Sequence, residues 1–289
     1  MALNKICFLC GNNTFVVRSG SVRDNDKLKV LECSDCGLVF LSSFDHITEK
    51  FYDNSKMHDG DLLEIDVWLK ETEWDDERRF QFLKSLLPNK KVLDFGCGPA
   101  GFMLKARKLT KFIRGVELEK RLRNHYDKNR LYVVHNLSEL PKDESYDLIT
   151  MFHTLEHIPD PKNILTQLKP LLSKNGQIVV EVPNANDALL TLYNSKAFSD
   201  FTYWSCHLFL FTTSTLGKLL KHSGFKINYI KQTQRYSLAN HVFWLSNKKP
   251  GGHQKWHFLD SPQLHSQYEK MLCSIGKCDT IIGSFSVKQ

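Results

Sequence analysis

The stretch Val92-Leu93-Asp94-Phe95-Gly96-Cys97-Gly98-Pro99-Ala100-Gly101 constrains this chain more than any other. An apolar strand runs into a glycine-rich turn that opens a helix, and a carboxylate, Glu117, ends the next apolar run. Strand, tight turn and helix in that order build one unit of a parallel sheet. The turn brings backbone close to a polar ligand, and an acid about 20 residues further on grips ribose hydroxyls. The layout points to an enzyme that uses a nucleoside-containing cofactor.

The pattern around this turn supports the same architecture. Strands are expected at 91–95, 112–117, 131–135, 146–152 and 177–182, and helices at 100–109, 119–128 and 161–173. Alternation of this kind makes a parallel sheet covered on both faces. Residues 50–87 carry helical apolar spacing up to Pro88. Thr212 caps a helix through His222, Gly224 stops it, and strands follow at 225–231 and 280–287, the last antiparallel to its neighbours. Residues 235–277 hold Pro250-Gly251-Gly252, two tryptophans and four histidines. They are too long for a plain connection and read as a substrate-side insertion. The expected fold is a Rossmann-like, doubly wound, mostly parallel seven-stranded sheet. Its units are a small ribbon at 1–45, a helical cap at 46–88 and a catalytic domain at 89–289.

Cys7-Phe8-Leu9-Cys10-Gly11 and Cys33-Ser34-Asp35-Cys36-Gly37 form two matched knuckles 22 residues apart. Two thiolates from each turn complete a tetrahedral four-sulfur site, the set zinc prefers. Between them, strands are expected at Phe15-Val16-Val17 and from Leu28 to Leu31. Disulfides are disfavoured without a secretion signal. A closed four-thiolate site leaves no open position for water, so the zinc is structural. Cys97, Cys206, Cys273 and Cys278 show no ligand spacing.

The amino terminus lacks an apolar signal core, and no apolar run approaches the ~20 residues of a bilayer crossing. A cytoplasmic protein without membrane insertion is the expectation. Net charge is +7. Residues 105–130 hold ten Lys or Arg against three acids, residues 59–79 hold nine acids against three bases, and the first 45 residues balance. Opposed blocks read as solvated helix faces rather than as a nucleic-acid stripe.

Glycine turns of this type serve NAD, FAD and S-adenosylmethionine alike. Asp94 two residues before the first glycine, Glu117 in Gly-Val-Glu-Leu, and the block from Tyr146 to His157 favour S-adenosylmethionine. On these motifs, residues 80–230 resemble the class I S-adenosylmethionine-dependent methyltransferases. The resemblance implies that Asp94, Gly96, Cys97, Gly98 and Gly101 surround the methionine and ribose portion, with Glu117 and Leu118 at the ribose. Asn136 and Leu137 take the adenine loop, where the family normally carries an Asp. Phe152 and His153 line the sulfonium side. With the ribbon Cys7, Cys10, Cys33 and Cys36 ahead of it, the chain is similar to methyltransferases of nucleotide sugars and polysaccharide precursors. Sugar C-methyltransferases carry Tyr-x-Glu-His where this chain has Trp204-Ser205-Cys206-His207, so the carboxylate is missing and O-methylation fits better.

Methyl transfer to a hydroxyl needs alignment and removal of a proton. A histidine suits that role. His207, in the segment after the fifth expected strand, and His157, after Leu155-Glu156, are the candidates. Each has a structural alternative: His207 bonding a loop carbonyl, and Glu156 with His157 locking the turn before Pro161. Arg235, His241 and His253 are candidates for acceptor binding, and Trp244 and Trp256 for stacking or packing. Methylation of an RNA base, with the ribbon gripping RNA, is the alternative function. Its Asn/Asp-Pro-Pro-Tyr/Phe tetrad is absent. An inactive assembly protein is a third reading, opposed by the intact glycine turn and Glu117.

Overall fold

The computed structural model describes residues 6–48, 51 and 64–288. Three short strands, β1 (Phe15–Val17), β2 (Val30–Cys33) and β3 (Val39–Leu41), form the amino-terminal meander. The second strand lies two residues later than expected, because its register sets Cys33 opposite Phe15 and Leu31 opposite Val17. Helix α1 (Ile65–Leu83) follows; residues 50 and 52–63 of the expected helical stretch lie outside the described residues.

The larger unit then alternates as its pattern dictates: β4 (Lys91–Phe95), α2 (Gly101–Ala106), β5 (Phe112–Val116), α3 (Arg123–Lys128), β6 (Tyr132–Val134), β7 (Tyr146–Phe152), α4 (Pro161–Leu168) and β8 (Leu172–Pro183). The helix expected through 173 stops at Leu168. Pro170 supplies no N–H there, the chain tightens into a 3-10 turn at Lys169–Leu171, and β8 begins five residues early. Asp160, not Glu156, caps α4 by accepting from the Asn163 amide at 3.0 Å.

Later elements are α5 (Ala188–Thr191), α6 (Lys196–Thr202), β9 (Phe209–Leu210), α7 (Thr213–His222), β10 (Phe225–Thr233), α8 (Leu238–Asn247), α9 (Gly252–Lys255), α10 (Pro262–Ser274) and β11 (Thr280–Val287). Thr212 closes a capping box on α7. The seven-stranded sheet has the order β10-β11-β8-β7-β4-β5-β6. Strands β4 to β8 run parallel, and β11 pairs antiparallel with both β8 and β10. No described helix is long and apolar enough to cross a membrane.

The amino-terminal meander does not stand apart. Strand β9, from the larger unit, pairs with β3, extending the small sheet to β1-β2-β3-β9. Buried Leu38, Phe40 and Leu41 join one core with Ile149, Val180 and Phe209. Phe209 meets Phe8 at 5.1 Å and Phe44 at 5.2 Å between ring centroids. Phe209→Ala should lower unfolding free energy by about 3–5 kcal/mol in chemical denaturation, the range for large-to-small changes in a core. It should also speed proteolysis within residues 6–48. A loss below about 1 kcal/mol would mean that the seam carries little of the fold.

Candidate active site

A cleft of about 1260 Å³ opens at the carboxyl ends of β4, β5 and β7 and is roofed by α1. This is the edge of an open parallel sheet where ligands bind. Gly96 has φ of +75°, and a Cβ there would sit 2.4 Å from the Thr154 hydroxyl, so both backbone and space demand glycine. The Gly98 amide donates to Glu117 at 2.8 Å, and the Glu119 amide donates to its other oxygen at 3.0 Å. Glu117 thus fastens the turn it follows. Asp94 accepts from Thr150 Oγ1 at 2.7 Å, and burial pushes its carboxyl up to about 7.

The lining includes all eleven residues expected at the cofactor: Asp94, Gly96, Cys97, Gly98, Gly101, Glu117, Leu118, Asn136, Leu137, Phe152 and His153. His157 also lines the cleft, whereas His207 stacks behind it with ring centroids 5.0 Å apart. His157 Nδ1 donates to the Cys206 carbonyl at 2.7 Å. His207 Nδ1 donates to the Thr202 carbonyl at 3.3 Å. Burial lowers the proton affinity of both, that of His207 down to about 3.

The expected helical linker or cap contributes cleft residues that sequence reasoning did not single out. Thr72, Asp76, Arg79 and Leu83 share one helical face with Trp68 and Leu69, and this face turns inward rather than to solvent. Its charged residues therefore belong to the site, while Glu71 and Glu73 on the opposite face are exposed. The available signal was charge at helical spacing on the same stripe as the apolar residues. Arg78 Nη2 donates to both oxygens of Glu181 at 2.8 Å, and Arg79 donates to Glu181 Oε1 at 2.8 Å. Burial opposes ionisation of Glu181, yet the guanidiniums hold its carboxyl well below the usual range. Asp75 pairs with Arg235, the one residue of 235–277 that lines the cleft.

His153 occupies the centre of this network. Its Nδ1 lies 3.0 Å from Glu156 Oε1, and its Nε2 lies 3.1 Å from Arg235 Nη1 and 3.3 Å from Glu181 Oε1. Burial and Arg235 oppose its charging, but the two carboxylates outweigh them and raise its proton affinity. The insertion's remaining candidates pack elsewhere. His241 Nδ1 meets the Tyr268 hydroxyl at 2.7 Å, Trp244 packs on Phe198 and Phe201, Trp256 on Phe243, and His253 on Tyr236.

The four knuckle cysteines gather at the far end of the meander, with their sulfurs all within 4.8 Å of one another. Cys7 and Cys36 are 3.6 Å apart, and Cys10 and Cys33 are 3.5 Å apart. Tetrahedral zinc with bonds of about 2.3 Å spaces its sulfurs by about 3.8 Å, so the set fits that ion and is too open for disulfides. Each knuckle closes alike, Gly11 N on the Cys7 carbonyl and Gly37 N on the Cys33 carbonyl.

Asp94 provides a pH test. Its folded value, about 7, is raised above the ordinary 3.8, so folding favours the protonated form. Its contribution is complete below pH about 4 and is lost as pH rises through about 7. Asp94→Asn should remove that dependence: the stability of the wild type relative to the variant, read by denaturant melts, should fall between pH 5 and pH 8. A difference that stays flat would place the carboxyl in a different environment.

Comparison with known proteins matches this geometry. The model of a family described as "Methyltransferase domain" matches residues 66–230. An uncharacterized protein of Methanocaldococcus jannaschii is 28% identical over 173 residues, covering 59% of this chain and 80% of that protein. A ubiquinone biosynthesis O-methyltransferase of Coxiella burnetii is 30% identical over 108 residues, covering 35% of this chain and 46% of the relative. The chain thus spans about half the length of that enzyme. A Thermotoga maritima structure titled as a possible histamine N-methyltransferase shares the fold, with a TM-score of 0.51, 20% identity and coverage of 85% of this chain and 100% of its own. The chain belongs to the methyltransferase-domain family, with the class I fold of its S-adenosylmethionine-dependent members.

Proposed function

We propose that this methyltransferase methylates a hydroxyl of a small-molecule acceptor, a sugar borne on a nucleotide or a polysaccharide precursor. The observation that carries the reading is one continuous cleft with room for two ligands. At about 1260 Å³ it exceeds the roughly 300–1,000 Å³ of ordinary small-molecule pockets. One end carries the glycine turn and Glu117, which suit the ribose and methionine portions of S-adenosylmethionine. The rest of the lining includes His153, His157, Gln167, Arg235 and Thr48, hydrogen-bonding groups suited to a polyol. When bound, S-adenosylmethionine supplies an electrophilic methyl group on a sulfonium. The protein's own part is to align the acceptor, exclude water and accept a proton. The family likeness to an O-methylating enzyme supports oxygen as the acceptor atom.

Zinc in the Cys7, Cys10, Cys33 and Cys36 site is structural in this reading. It holds a meander whose far side delivers Ile47 and Thr48 to the cleft wall. The same packing weighs against RNA: β9 covers one edge of the small sheet, and Arg18 and Asp24 are engaged by Ala185 and Ser205. In this reading His157 holds the acceptor, with His207 as its neutral support.

Transfer of labelled methyl groups to nucleotide sugars, polysaccharide precursors and ribosomal RNA tests the assignment. Sugar oxygen should take the label, and label in RNA alone would overturn the reading. Glu117→Ala should weaken S-adenosylmethionine binding by about 10- to 100-fold, the scale of a lost charged hydrogen bond. Unchanged affinity would remove Glu117 from the cofactor. Elemental analysis should find one zinc per chain, lost in Cys33→Ser. A chain purified without metal and equally stable would sink the zinc assignment.

A further inference from the structure

Three histidines follow β7 or stand behind it, and their surroundings divide them. We propose that His153 is the general base of the transfer, oriented by the buried carboxylate of Glu156. The inference rests on the hydroxyl-methylation reading above.

His153 is fixed from several sides. Its amide donates to the Glu181 carbonyl at 2.8 Å, and its backbone takes a φ of +50°, a left-handed conformation uncommon for a side chain of this size. Such strain at a cleft wall persists only where surrounding contacts enforce it. The imidazole donates from Nδ1 to Glu156 Oε1, which leaves the proton-accepting lone pair on Nε2. In the neutral state Arg235 Nη1, at 3.1 Å, donates to that lone pair. In the protonated state Nε2 donates to Glu181 Oε1, at 3.3 Å. Nε2 thus faces Arg235 when neutral and Glu181 when protonated, and uptake of a proton requires the Arg235 N–H to turn away from it.

Glu156 makes the arriving charge stable. It is fully buried, and its second oxygen, Oε2, has no hydrogen-bond partner. Its negative charge is therefore balanced chiefly through His153, in a medium where charges interact strongly. The other charged groups around the imidazole are Glu181 on β8, with Arg78 and Arg79 from α1, and Arg235 after β10, with Asp75 from α1. The Nδ1 atoms of His157 and His207 bond backbone carbonyls, and burial lowers both. In the reaction the acceptor oxygen bonds the methyl carbon, the carbon–sulfur bond breaks with its electron pair left on sulfur, and the hydroxyl proton passes to Nε2 of His153.

Histidine nitrogen spectra of the full chain saturated with S-adenosylhomocysteine test this without an acceptor. His153→Gln identifies the signal. The His153 ring should hold its neutral proton on Nδ1 and titrate above the ordinary histidine value of about 6.5. Glu156→Gln should lower that midpoint by about one unit, a tenfold loss of proton affinity. Glu156→Asp should restore most of it, and both variants should bind S-adenosylhomocysteine within about twofold of wild type. A ring that stays neutral to pH 5, or a midpoint that Glu156→Gln leaves in place, overturns the proposal. With an acceptor from the labelled-methyl panel, His153→Gln should cut kcat by about 100-fold or more, within the usual range for a lost acid–base group. Glu156→Gln should move the acidic limb of the kcat profile to lower pH. Undiminished kcat in His153→Gln also overturns the assignment, whereas a panel with no methylated hydroxyl defeats the function reading and leaves the titration to decide the dyad.

Discussion

The site depends on one carboxylate. Glu181 stands near the end of β8 with no exposure to solvent, and it receives Arg78 and Arg79 from α1 and lies against His153 from β7. A carboxylate removed from water is tolerable only with such partners. Buried ion pairs roughly break even against apolar packing, and removal of one partner is what costs heavily. The knot therefore contributes little net stability and a great deal of position. It sets the height of the α1 roof over the strand ends, and the Asp75–Arg235 pair repeats that tie from β10.

The meander extends the same economy of surface. A hairpin of three- and four-residue strands buries too little apolar area to fold alone, and small units of this kind need a metal or a shared core. Here the geometry offers both. The four sulfurs converge at one end, while β3 pairs with β9 and Phe209 seats between Phe8 and Phe44. Arg18 reaches the Ala185 carbonyl at 2.7 Å, and Asp24 takes the Ser205 hydroxyl at 2.6 Å. His46 Nε2 adds a bond to the Ser205 carbonyl at 2.7 Å, one residue before Cys206. The segment that ends at Thr48 is thereby placed beside the histidine turn.

Much of this was legible in the sequence because it depends on local chemistry. Strands β4 and β7 fall on their expected residues, since apolar runs bounded by turns at 88–90 and 142–145 leave little choice. The glycine turn and Glu117 declare themselves by residue type at fixed spacing. The four cysteines do so equally, and their sulfurs converge. What the sequence conceals is partnership over distance. Glu181 sits in a β-rich run beside Val182 and Pro183, and nothing local says that two arginines a hundred positions earlier will reach it. Strand β9 is two residues long and exists only because β3 needs an edge. The 59–79 charge block reads as solvated until the apolar stripe is laid over it, and then Asp76 and Arg79 fall on the buried side.

The division of labour among the histidines has the same origin at a shorter range. Leu155–His157 forms a 3-10 turn, in which side chains three apart stack and adjacent ones diverge by about 120°. Glu156 reaches back to His153, whose left-handed backbone turns its ring toward it, while His157 next door points toward Cys206 and His207. The carboxylate hydrogen-bonds one of the three imidazoles, that of His153. The other two rings face each other at 5.0 Å, His157 disfavours a charge on His207, and burial drives both toward neutrality. Pairs of titratable groups whose environments push their proton affinities apart are how one fold separates acid–base work from binding. In this chain the separation is made within five residues of one turn, and the sequence His153-Thr154-Leu155-Glu156-His157 encodes it only once the turn is known to be tight.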